Sequence, residues 1–484
     1  MALRRFSLFV AVAIIFIALA GCGGDQSLRF PPPTGSFTNA SLIGPFAFSY
    51  TGSDGGGFLA VAGSFQADGA GHITSGMQDV NSGLGIFTNS PVTGTYTVRA
   101  DGRGSANLSS PAGNSVIDFV IVAGGHALIT RFDANATGSG TLDQQTTSAF
   151  SNTALAGLFA FNLSGIDAVG NPLAVAGNFT SDTTGAITAG VDDSNDNGGV
   201  VASDPLTGSI PVGANGRGTA TMNTVRGALT FTFYVVDANH LKLVETDNSV
   251  VLGGEAFRQT GPFSNASVSG PFAFTLAGAD VLSVAPFAAG GVLTSNGAGT
   301  ITGGTEDFND AGTVTLNVGL TGSYSIAPGG RGTLQIVTGS GTFNFVIYPS
   351  SGGVLALETD LRFVTTGTAL PQQTAPFSNA SFSGIYGLNF TGVSTNGELD
   401  SIAQFTADGA SRITGIIDIN NVGAITFGQP LSGTFSASAN GRTTLALQSP
   451  LGTQNMAVYL VNNNRALFIE LDSSVVLAGD IRHQ

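Results

Sequence analysis

The 484-residue sequence has no tryptophan, one cysteine (Cys22), one lysine (Lys242) and four histidines, and only 10% of its residues are charged. A lone cysteine excludes a disulfide within one chain and a metal site built on several thiolates. No Gly-x-Ser-x-Gly elbow is followed by an acid and a histidine, so no nucleophile and base come together and the chain reads as non-enzymatic, without a cofactor. A net charge of −15 and a pI near 4.4, with no cluster of Lys and Arg, exclude nucleic acid as a partner. The acidity is spread thinly, as on a soluble acidic surface. No stretch of helical period reaches ten residues.

What is abundant is glycine (70), phenylalanine (34) and repetition. FTNASLIGPFAF at 37–48 returns as FSNTALAGLFAF at 150–161, FSNASVSGPFAF at 263–274 and FSNASFSGIYGL at 377–388. The starts lie 113 or 114 residues apart, the size of a domain, so one module has been copied four times: 37–146, 150–259, 263–373 and 377–484. With 42% hydrophobic residues each copy can bury a core, which sets it apart from a disordered Gly/Ser/Thr-rich segment. Short junctions (144–149, 259–262, 372–376) restrict how far neighbouring modules swing. The last copy ends in VVLAGDIRHQ, parallel to VVLGGEAFRQ at 250–259, so the chain is expected to stop where a module stops.

Each copy carries the same landmarks in one order. Phe65, Asp68, Gly71, Ile73, Thr74, Asp79 and Asn81 of the first copy read as two strands around an Asp-Gly type turn. A second hairpin follows, turning at 101–104, 215–218, 329–332 and 440–443. In the strand after it, Leu229, Phe231, Phe233 and Val235 alternate with Thr230, Thr232 and Tyr234, the period of a sheet with one buried face. Eight or nine short strands joined by hairpin-length turns make neighbours in sequence neighbours in space. Closure removes the two edges that such a meander exposes. The fold class is therefore all-β: four tandem modules, each an eight- to nine-stranded antiparallel up-and-down β-barrel, the alternative being a Greek-key β-sandwich. The segments ADGAGHITSG (67–76) and LTGSY (320–324) resemble the strand rhythm of avidin-like and lipocalin-like barrels. Those families commonly place Trp near the opening strand, so none of their ligand-binding residues carries over to this chain.

At the N-terminus Arg4 and Arg5 precede an apolar run from Phe6 to Ala20, too short to span a bilayer. The run ends in Leu19, Ala20, Gly21 and Cys22. This resembles the lipobox of bacterial lipoproteins, which implies cleavage before Cys22 and acyl chains, palmitate among them, on the new N-terminal cysteine. Residues 1–21 are then a signal peptide, and 22–36, with Pro31, Pro32 and Pro33, a partly stiff tether. The resemblance implies a membrane partner through the lipid anchor. By resemblance to the sorting rule of enteric bacteria, Gly23, standing where Asp would favour the inner membrane, implies the outer membrane; exposure at the cell surface is a separate expectation.

Four further expectations concern particular residues. Asp192, Asp193, Asn195, Asp196 and Asn197 gather enough oxygens to suggest Ca²⁺, but the spacing fits no EF-hand, and a solvated hairpin turn is expected instead. His126 and His240 occupy one equivalent position and read as turn residues. Asn39, Asn265 and Asn379 precede Ala-Ser, and an Asn bonded to local backbone is expected rather than a glycosylated one. Glu245, Glu358 and Glu470 are expected to pair with the Arg of the second turn, Arg103, Arg217, Arg331 or Arg442. The functional expectation is a structural, adhesive or interaction scaffold made of rigid beads, the alternative being carriage of an apolar small molecule inside the barrels.

Overall fold

The structure, a computed structural model, describes residues 37–225, 227–247 and 250–484. The expected signal peptide, the expected tether and Cys22 lie outside the described residues. Each copy is a meander of eight antiparallel strands closed into a barrel. In the first barrel these are Ile43–Asp54, Gly57–Asp68, His72–Ser82, a fourth strand broken at Val92 into Gly85–Pro91 and Thr93–Val98, Arg103–Ser109, Ser115–Val122, His126–Asp133 and Ala136–Gln144. The first strand pairs with the last from Phe46 opposite Gln144 to Asp54 opposite Ala136. The same closure recurs with Phe159 opposite Arg258, Phe272 opposite Pro371 and Tyr386 opposite His483. Every pairing joins sequential strands or the first to the last, so the barrel expectation holds and the Greek-key sandwich does not.

The period of two assigns the faces. On the first strand Phe46, Phe48 and Tyr50 enter the core, while Ala47 lies in a separate apolar cluster outside the barrel wall. Phe rings fill the interiors: Phe159, Phe161, Phe179, Phe231 and Phe233 of the second barrel are almost wholly buried. Phe159 and Phe179 stack at 5.8 Å, and such pairs add to the area they remove from water. The third barrel is looser and keeps a void of about 70 Å³ among Phe274, Phe287, Phe345, Glu306 and Glu358.

The repeated opening motif plugs one end of each barrel. The side-chain oxygens of Asn39, Asn152, Asn265 and Asn379 accept from the backbone N–H of Val98, Val212, Ile326 and Ala437 at 2.8–2.9 Å. The Asn therefore holds a distant strand end rather than its own turn. The phenylalanine that begins the motif covers the glycine of the second turn: Gly102, Gly216, Gly330 and Gly441 have φ of +78° to +91°, and a Cβ there would also meet Phe37, Phe150, Phe263 or Phe377.

The modules do not form the row of beads that tandem copies suggest. Among the described residues, besides four barrel cores, there are four apolar clusters between barrels: Tyr234 with Ala62, Tyr348 with Ala176, Tyr459 with Ala288, and Val120 with Ile402. The last joins the first barrel to the fourth, and the ring closes. Junction glutamines repeat the pattern: Gln145 Nε2 donates to the Val235 carbonyl, Gln259 to Pro349 and Gln372 to Leu460, at 2.6–2.7 Å. Gln484 donates in the same way to Ile121 of the first barrel, at 3.0 Å. Like ends meet like ends around the ring. One face carries the turns between strands 1–2, 3–4, 5–6 and 7–8 (the hairpin rim); the other carries the module junctions and the remaining turns (the junction rim).

Candidate functional site

The ring is held by one constellation used at each seam, and a β-bulge positions it. Where strand 3 pairs with strand 4 the register shifts at Asp79, Asp193, Asp307 and Asp418. Opposite each lies a residue of positive φ: Asn89, Ser203, Asn317 or Gly428. Its freed backbone N–H donates to the Asp Oδ1, at 2.8 Å in the first three barrels and 2.5 Å in the fourth. The extra residue lies on strand 4 and frees the N–H that holds the carboxylate. The alternation of strand 3 itself directs the Asp out of the barrel wall toward the next module, with Asp79 opposite Ala62 of the outer apolar cluster in an unbroken ladder.

Arg217 meets Asp79 there through two parallel bonds, Nε to Oδ2 at 2.9 Å and Nη2 to Oδ1 at 2.6 Å. Arg331 holds Asp193 at 2.8 and 2.6 Å, and Arg442 holds Asp307 at 2.7 and 2.6 Å. Tyr234, Tyr348 and Tyr459 each donate a hydroxyl to the same carboxylate. Two guanidinium donors, a hydroxyl and a backbone N–H thus satisfy a carboxylate that has left water, the condition under which a buried ion pair is tolerated. The hydrogen bond to Asp leads the causes that raise the pKa of all three arginines. Burial, and then the Asp charge, raise the tyrosines well above their ordinary value.

Two residues on, along the same strand face, the Asn amide enters the next barrel's last hairpin. Asn195 Nδ2 donates to the carbonyls of Glu358, Asp360 and Phe363 at 2.9–3.1 Å. Asn309 and Asn420 do the same in their seams, and Asn81 reaches the carbonyls of Glu245 and Val250. The Asp-x-Asn pair of every copy is therefore an interface device. Asp192, Asp193 and Asn195 are buried rather than in a solvated turn.

The seam between the fourth and first barrels departs from the rest. Val120 stands where the others have Tyr, and Arg103 reaches Asp418 with one nitrogen only, at 3.2 Å, while its Nε turns to Asp101. Burial without the double bond raises the Asp418 pKa. Asp118, buried alongside with Oδ2 unpartnered, is pushed up to about 6 by burial.

The expected pairing of Glu245, Glu358 and Glu470 with these arginines is corrected: the arginines serve aspartates of the preceding barrel. The glutamates sit at buried ends of the barrel interiors, where burial above all pushes their pKa up to about 9, 8 and 10. The spacing hid this, because in three of the seams the Asp and its Arg lie 135–138 residues apart, more than one period, and in the closing seam 315 apart.

First and last strands of the barrels face the ring axis and enclose a cavity of about 540 Å³, opening at the junction rim. His126, His240 and Arg465, each the first residue of strand 7 in its barrel, line it. The two histidines thus begin strands and face the axis, beyond the turn role expected for them. His126 Nδ1 lies against Asp143, and His240 stacks on Phe257 at 4.6 Å. Lys242 is wholly buried beside the cavity and bridges two barrels, with Nζ 2.6 Å from Asp143 and 2.9 Å from Glu255. Burial opposes its charge, but Asp143 and Glu255 outweigh that and raise its pKa. Among the described residues no group of three or more His, Cys, Asp or Glu is placed to hold a metal ion, and no helix is long and apolar enough to cross a membrane.

No family model and no curated protein matches the chain. Among solved structures, transferrin binding protein B of isotype 1 from serogroup B Neisseria meningitidis is 11% identical, covering 76% of this chain and 85% of that one, with a TM-score of 0.19. A protein of unknown function from the DUF3598 family of Nostoc punctiforme is 8% identical, covering 92% and 97%, with a TM-score of 0.16. At such TM-scores neither likeness bears on fold or function.

Proposed function

We propose that the chain is a cell-envelope lipoprotein, carried by acyl chains on Cys22 in the outer membrane and exposed at the cell surface, where it acts as a non-enzymatic interaction scaffold. The observation that carries this reading is the distribution of exposed apolar side chains. Among the described residues, every exposed large hydrophobic except Ile43 sits at or beside the hairpin rim, Leu84, Val169, Val225, Leu361 and Phe427 among them. Apolar groups gathered on one face of a rigid body favour contact with a partner. The described chain begins at Phe37 on the opposite rim, against the 99–103 turn. The filled interiors speak against carriage inside the barrels: the 70 Å³ void of the third is far below the roughly 300 Å³ at which small-molecule sites begin.

Two measurements test the proposal. Cys22→Ser should release the folded protein from membranes in a detergent partition, and retention of the variant would refute the anchor. In the anchored protein, photo-cross-linkers at Leu84 or Val225 should give discrete high-mass adducts on intact cells, and cross-linkers at Asp182 or Ser411 on the junction rim should not. Adducts of equal yield from both rims, or none from the hairpin rim, would refute the scaffold.

A further inference from the structure

We infer that the axial cavity is a binding site for a small oxyanion, a phosphate or carboxylate group, seated on Arg465 and Arg482. The inference is independent of the scaffold reading and concerns the opposite face of the ring. In a chain of net charge −15, both arginines come from the fourth barrel and turn to one carboxylate. Arg465 gives Nε and Nη2 to Asp480, at 3.2 and 2.9 Å, and Arg482 gives Nε to the same group at 2.7 Å. Among the described residues, Arg465 Nη1 and both terminal nitrogens of Arg482 have no acceptor. Burial opposes the charge on Arg482, but Asp480, and at longer range Asp143 and Glu255, outweigh it and keep the guanidinium positive. His240 faces the same space, its buried Nε2 3.4 Å from Glu255 Oε2.

Both arginine side chains line the cavity and are partly exposed, so their free nitrogens are open to a ligand, and a planar guanidinium pair matches the oxygens of a phosphate or carboxylate. The walls supply further polar groups, with Thr141, Asn162, Thr368 and Asn389 from the four barrels in turn. The third barrel has Gly353 where the others place His126, His240 and Arg465, so the bases come from three barrels only. The volume of about 540 Å³ suits a molecule well above a bare ion, so the oxyanion can be free or the headgroup of a lipid reaching the junction rim.

The test uses the Cys22→Ser protein with inorganic phosphate, succinate, and vesicles of phosphatidylglycerol or phosphatidylcholine. Phosphate or succinate should bind saturably in calorimetry and raise the unfolding temperature, while chloride at equal ionic strength does neither. Arg465→Ala at the rim and Arg482→Gln deeper in should each weaken binding at least tenfold; Arg465→Ala, which is partly exposed, keeps the test valid if the deeper change perturbs folding. Retention on phosphatidylglycerol but not phosphatidylcholine vesicles, lost in Arg465→Ala, assigns the oxyanion to a lipid headgroup. Binding of free anion alone assigns it to a solute, and either result supports the site. No saturable binding to anion or vesicle, or binding that both arginine variants leave unchanged, overturns it.

Discussion

Arg103 of the first barrel lies 3.2 Å from Asp418 of the fourth, 315 residues away in sequence, and this single bond stands where the other three seams have a doubly bonded pair capped by tyrosine. The seams are therefore unequal. Asp307→Ala would leave Arg442 buried and unpaired and is expected to cost about 3–5 kcal/mol. Asp418→Ala, which removes one longer bond, should cost less than half as much. Urea unfolding followed by far-ultraviolet circular dichroism measures both, and equal losses would show that the closing seam is as strong as the rest.

The closing seam also exchanges volumes across its interface. Tyr459 packs so closely on Gly290 that a Cβ there would overlap its ring, and the other tyrosines cluster with Ala62 and Ala176. Between the fourth and first barrels the small partner has become Ile402 and the tyrosine Val120. Val120→Tyr alone should destabilise by overpacking, typically about 1–3 kcal/mol. Adding Ile402→Ala should recover most of that and bring a hydroxyl to Asp418, a favourable coupling of about 0.5–3 kcal/mol in a double-mutant cycle. Additive losses would mean that the two positions do not share one packing space.

The third barrel's acids set a pH dependence of definite sign. Burial pushes Glu358 up to about 8 and Glu306 up to about 7. A carboxyl whose folded pKa lies above its unfolded value binds more protons when folded, so its effect on stability is most favourable below pH 4.5 and declines as pH rises to about 8. Glu358→Gln should match the wild type near pH 4 and unfold at a higher temperature than it at pH 9. A difference in unfolding temperature that stays constant from pH 4 to 9 would place the Glu358 titration outside the folded barrel.

Much of this was legible in residues. The recurring Phe-Ser-Asn gave the period, the alternation of Leu229, Phe231 and Phe233 gave the sheet, and the Asp-Gly turns gave the meander, because each is local chemistry repeated. The ring was not legible. The pair Asp79 and Asn81 recurs two residues apart in every copy, yet its equivalents Asp193 and Asn195, standing beside Asp196 and Asn197, read as a solvated turn. The bulge on strand 4, whose freed N–H holds that Asp, leaves no mark in composition. The axial cavity depends on closure of the ring, and Val120 and Arg103 carry no sign in sequence that Ile402 and Asp418 will cover them.

Closure of the ring in solution has its own signature at Gln484. Its Nε2 donates to the carbonyls of Asp101 and Ile121 at 2.9 and 3.0 Å, as Gln259 Nε2 donates to Gly330 and Pro349 at 3.1 and 2.7 Å within a covalently linked pair of barrels. Gln259→Ala leaves two buried carbonyls short of a donor whether or not the ring is closed, and should cost about 1–3 kcal/mol. Gln484→Ala has that effect only if the fourth barrel sits on the first. With the ring closed it should cost a comparable amount and speed amide exchange at Ile121, whose N–H bonds the Gly102 carbonyl beneath the contact. With the ring open, Gln484→Ala would match the wild type in both measurements while Gln259→Ala remained destabilised, and the four-fold arrangement would fail as a description of the molecule in solution.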